Sequence, residues 1–160
     1  IMDNVQKEIV VFLSEMITGQ VPHDVMEEAR REMRMADEYE SLSDYLVNVL
    51  KGHVKLRNNR LKISSQGRAD LLDLHNRVFD YIRMVNEAER NDNRNILGRA
   101  QTDSEAVTYQ MKTYRRQHLM RLSEGRNSPL HSLVFTDMLN NYRRMKDHAL
   151  NIAEVIAGEK

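Results

Sequence analysis

Apolar residues recur along the chain at three- and four-residue intervals in five stretches, the spacing that lines one face of a helix. The first runs from about Asn4 to Ile17 and is closed by Gly19, Val21 and Pro22. The second opens at Pro22, whose fixed φ suits a first helical turn, and runs to about Lys51 with Gly52 as its expected stop. The third starts after Ser64 or Ser65, either of which can cap it, and continues to about Leu97 before Gly98. The fourth starts near Thr102, where "TDSE" has the spacing of a capping box, and stops at Gly125. Ser128 as cap and Pro129 at the first helical position open the fifth, which ends by Gly158. Between the second and third, "HVKLRNNRLKIS" alternates on both sides of Asn58 and Asn59, which can take the positive-φ positions of a tight turn. That pattern predicts a small hairpin over 54–63, with a continued helix and an irregular loop as the alternative.

The stripes these helices should bury are Met35, Tyr39, Leu42, Leu46 and Leu50 in the second, and Met138, Tyr142, Met145, Ala149, Ile152 and Ile156 in the fifth. Only 2 Pro and 6 Gly in 160 residues agree with helix over a turn-rich β design, so the expected fold class is all-α.

The two halves echo each other. Setting "YESLSDYLVN" over "YRRMKDHALN" aligns Tyr39 with Tyr142, Asp44 with Asp147 and Asn48 with Asn151, a constant offset of 103 residues (147 minus 44). The same offset carries helix one onto helix four and helix two onto helix five, and leaves helix three without a partner. The expected whole is two three-helix repeats, residues 1–52 and 66–160 joined by a connector at 53–65, with the first helix of the first repeat lying before residue 1. The start "IMDNVQKEIVVFL" falls almost directly into a helical pattern and reads as a fragment of something longer.

Glu40, Asp44 and Asn48 fall at strict four-residue intervals, roughly opposite the apolar stripe. Asp37, Glu40 and Asp44 are like charges close together on one helix and repel slightly unless a cation lies among them. A solvated face, with Arg34 or Lys51 neutralising part of the charge, accounts for the same pattern.

The tandem "ADEYESLSDYLVNVLK" and "YRRMKDHALNIAEVIAGEK" resembles the paired E-x-x-x-D signature of the PhoU family, whose repeats are three-helix units. The longer texture, "VKLRNNRLKIS" included, is similar to the cytoplasmic PhoU-like region that follows the membrane domain of bacterial sodium/phosphate cotransporters. The resemblance implies a non-catalytic regulatory or accessory domain of phosphate uptake, tethered at the cytoplasmic side of the inner membrane through a transport domain of the same chain, with a homodimer as a further expectation. A free-standing PhoU-type regulator, or a metal-binding or storage protein, are the alternatives. Some relatives carry iron or zinc clusters, and matching positions imply Glu40 and Asp44 as metal ligands with Asp37 as an addition. The second signature departs from the pattern: Arg143 stands where the glutamate should be, so Asp147 is expected to pair with Arg143 instead. Helix three offers only the mixed set Asp73, Asn76 and Asp80.

Other chemistry is thinly supported. None of the six histidines follows a glutamate by three residues, so the Glu-x-x-His pairs of di-iron bundles are absent, and His148 beside Asp147 is the one histidine to consider as a ligand. No phosphate-loop, dinucleotide or nucleophile-elbow motif occurs, and no cysteine exists to act as nucleophile or thiolate ligand. Lys plus Arg equals Asp plus Glu at 24 each, which gives no overall attraction to nucleic acid. The apolar run "IVVFL" is far short of the roughly 20 residues a membrane-spanning helix needs. Locally, residues 45–69 hold six Lys or Arg and no acid. Positions 51–68 could face anionic lipid head groups or an acidic partner, with a solvated connector as the simpler account.

Overall fold

Among the residues described by the computed structural model, 1–123 and 129–159, five α-helices carry the chain and no strand occurs. They are α1 (Met2–Met16), α2 (His23–Asn58), α3 (Ser65–Arg90), α4 (Leu97–Ser123) and α5 (Pro129–Ala157), with one 3-10 turn at Arg94–Ile96 leading into α4. The fold is an all-α helical bundle. No helix among the described residues is long and apolar enough to cross a membrane.

α5 is the most deeply buried helix because α2, α3 and α4 all pack on it. It runs antiparallel to α2: Glu38 meets Asn151 near one end of the pair, and Gly52 meets Met138 and Val134 near the other. The α2 side of the seam is Met35, Glu38, Leu42, Tyr45, Val49, Gly52 and Leu56, a seven-residue repeat of the kind that keeps a stripe facing a long partner helix. Halfway along it Tyr45 stacks on His148, ring centroids 5.4 Å apart.

This seam corrects the predicted stripe. Met35 is buried and Tyr39 and Leu42 are half-buried, but Leu46 and Leu50 are 40% and 56% exposed. Their spacing of nearly four residues drifts off the seven-residue seam, so the core passes through Val49 and Leu56 instead. In α5 every residue of the predicted stripe is buried.

The hairpin is also overturned. α2 continues through Val54 to Asn58, which sends Leu56 into the core at 3% exposure. Gly52 does not stop the helix; it lies on the α2–α5 contact, where a Cβ would come 2.9 Å from Cε at the flexible end of Met138. The reversal comes one residue past the expected asparagine pair, with Arg60 and not an asparagine at positive φ (54°). Leu61 N–H donates to Leu56 O at 3.0 Å and Arg60 N–H to Arg57 O at 3.0 Å, the paired bonds of a Schellman motif.

Ser64 caps α3 as expected, its Oγ accepting from Gly67 N–H at 3.1 Å. The α3–α4 boundary lies earlier than expected, at "NDN": Asp92 takes φ 45° and Asn93 Oδ1 accepts from Asn95 N–H. Gly98 and Thr102 therefore sit inside α4, where Thr102 Oγ1 donates to Gly98 O at 2.9 Å instead of capping. α5 begins at Pro129, while Gly125 and Ser128 lie outside the described residues.

Among the described residues α1 packs on α2 alone and has no buried residue, and its Phe12 is 66% exposed.

Candidate functional site

The polar groups singled out in the sequence do not converge. Glu40 is half-buried and Asp44 exposed on α2, one turn apart, and Asp37 accepts a hydrogen bond from Gln6 Nε2 of α1 at 2.7 Å. Among the described residues no group of three His, Asp or Glu side chains is placed to hold a metal ion. Two neighbouring carboxylates leave most of a coordination sphere to water, a weak donor set for iron or zinc. On α3, Asp73 accepts from Arg77 at 2.6 Å and from Tyr114 at 2.5 Å, and Asp80 accepts from Arg83 at 2.8 Å. In the second half Asp147 lies 3.9 Å from Arg143 Nε and closer to the buried Lys146.

The constellation the helices do assemble straddles the seam. His148 Nδ1 lies 2.7 Å from Glu38 Oε2, and Asn151 Nδ2 donates to both Glu38 oxygens at 3.1 and 3.0 Å. With Tyr45 stacked on the imidazole, Glu38 is clamped by two residues one turn apart on α5. In the sequence Glu38 looks like one more acid on a solvated face, because Asp37 and Glu40 lie beside it. The seven-residue spacing that puts it in register with Leu42 and Tyr45 is the signal that could have found it.

A second polar layer closes the end of the bundle near α5's first turns. His118 is 1% exposed, stacked on Phe135 at 4.2 Å, with its Nε2 3.0 Å from Ser132 Oγ. Asp70, 3% exposed, accepts from Arg121 at 2.8 Å and from Gln66 at 3.0 Å. Burial, with the positive charge of Arg121 and the neighbouring His131 added, pushes the His118 imidazolium down to about 4. Burial likewise lowers His131. Because the unfolded chain then binds a proton that the folded chain refuses, stability is full above the unfolded value near 6.5 and falls as pH drops toward 4. Between pH 7 and pH 4.5 this one group is expected to remove about 2 kcal/mol. Urea unfolding at the two pH values, compared with a His118→Gln variant that lacks the titrating ring, checks it: the variant should lose less on acidification.

No protein-family model, curated protein or solved structure matches the chain.

Proposed function

We propose that this chain is a non-catalytic, PhoU-like regulatory domain attached to a sodium-dependent phosphate transporter at the cytoplasmic membrane face. The observation that carries the reading is the meeting of Tyr45 with His148 in an antiparallel helix pair. These residues are 103 positions apart, the offset of the sequence repeat. When two antiparallel repeats pack about a local twofold axis, corresponding residues meet where the axis crosses the seam. The placement of α1 on α2 and of α4 on α5 supports the same reading, as does the assignment of the best-built polar cluster, Glu38 with His148 and Asn151, to a helix interface. Such a domain acts by docking to its transport domain and changing how readily that domain moves.

The test is radiolabelled phosphate uptake by cells carrying the full-length gene, with and without the segment 1–160, in sodium and in choline medium. Sodium-dependent uptake whose response to external phosphate changes on deletion is expected. A full-length gene that supports no phosphate uptake, or uptake indifferent to the deletion, would sink the reading.

A further inference from the structure

We infer that the C-terminal half of α2, the reversal after it and the first turn of α3 form a docking surface for an anionic phospholipid bilayer. The inference is independent of the transporter reading and starts from an imbalance in local charge. Residues 45–69 carry Lys51, Lys55, Arg57, Arg60, Lys62 and Arg68 without one carboxylate. Several surface arginines elsewhere find acids about one turn away, as Arg77 does with Asp73 and Arg83 with Asp80, whereas residues 45–69 offer no such acid of their own. Among the described residues none of these six cations has an ion-pair partner, so their charge is directed outward.

Four of them, Arg57, Arg60, Lys62 and Arg68, rim a cleft of about 580 Å³. Its floor is apolar, built from Leu56, Leu61 and Ile63. Arg60 holds its place at φ 54°, where a helix end usually has glycine and where a side chain is strained. Strain accepted at the centre of a cationic rim fits a side chain retained for what it contacts.

Beside the cleft runs a ridge. Val47, Leu50 and Val54 are 41%, 56% and 55% exposed and point away from the α2–α5 seam. Helical geometry sets Lys51 and Lys55 along one flank of this ridge, and His53 and Arg57 along the other. A free anion has no use for exposed aliphatic side chains. A peptide helix seated in the cleft would leave Val47, Leu50 and Val54 uncovered, because they turn away from the bundle. A bilayer suits both features: its phosphates meet the cations while the ridge reaches the boundary of the acyl chains.

Co-sedimentation with vesicles of phosphatidylcholine alone, and of phosphatidylcholine with phosphatidylglycerol, tests the assignment. The protein is expected to pellet with the second kind only and to be released as salt rises from about 0.1 to about 1 M, where the Debye length falls from about 10 to about 3 Å. The pair Arg57→Gln and Arg60→Gln should weaken binding about 25-fold, near fivefold per cation. The pair Leu50→Ser and Val54→Ser leaves the charge untouched and should weaken it about tenfold through lost apolar burial. All four positions are exposed, and unchanged helical circular dichroism verifies that each variant folds. Equal retention on both vesicle types overturns the inference, as does insensitivity to the serine pair. Heat of binding to inorganic phosphate without vesicle retention moves the surface to a free-anion site, and capture of polyglutamate without vesicle retention moves it to an acidic polypeptide; either result refutes the bilayer.

Discussion

Replacing Phe135 by alanine is expected to lower the free energy of unfolding by about 4 kcal/mol. Phe135 is 0% exposed and belongs to the cluster that joins α2, α3, α4 and α5, so no neighbouring helix can move into the space it leaves without breaking other contacts. One ring face stacks on His118 at 4.2 Å. Its Cε2 also lies 3.3 Å from where a Cβ on Gly67 would stand, so the first turn of α3 packs directly on it. Removing the ring would open a cavity whose walls include an imidazole and a helix backbone, and admit water beside Ser132. Urea denaturation at neutral pH measures the loss. Leu133→Ala, on the same helix but 54% exposed, is the control and should change stability by no more than about 0.5 kcal/mol. A Phe135→Leu variant should fall between the two.

The same environment explains what the sequence could and could not reveal. Helix existence was legible because each stretch had its apolar period, and the ends at Ser64 and Pro129 were legible because capping and proline chemistry are local. The hairpin over 54–63 failed where tertiary packing won over local alternation. Val54 and Leu56 look equivalent in the string, yet Leu56 is drawn into the core by Phe135 and its neighbours while Val54 is left 55% exposed. Gly52 and Gly98 do not end their helices because a glycine ends a helix only where the chain turns there: Gly52 lies against Met138 and Val134 within α2, and Gly98 faces open space in the first turn of α4.

The candidate site was legible only in outline. Four-residue spacing draws attention to Glu40 and Asp44, while the α2 acid that the fold clamps against α5 is Glu38, two residues from Glu40. One residue of helix turns a side chain by about 100°, so Glu38 and its neighbours look alike in sequence and diverge in space. Only knowledge of which helix packs on α2, and at which period, separates them.

Breaking the Asp70–Arg121 pair carries the second large expectation. Arg121→Met should cost about 3 kcal/mol, because it leaves a carboxylate at 3% exposure with the Gln66 amide as a donor and no countercharge. The cost does not measure the worth of the pair. Asp70→Leu combined with Arg121→Met removes both charges together, and the double variant is expected to recover most of the lost stability. A double variant as unstable as the single one would mean that the guanidinium acts through packing of its stem and not as a countercharge. The single variant also reaches the neighbouring histidine. Arg121 is one of the positive charges that hold His118 neutral, second to burial itself. With that charge removed, His118 should accept its proton at higher pH in the folded chain, so its share of the acid-induced loss, which still begins near the unfolded value of 6.5, should be smaller and level off sooner. The rise is bounded because burial, the larger cause, remains. An unfolding series over pH 4.5–7 therefore separates the two roles of Arg121: a drop already present at pH 7 reports the orphaned Asp70, and a smaller further loss between pH 7 and 4.5, a reduction that disappears in a His118→Gln background, reports the released His118.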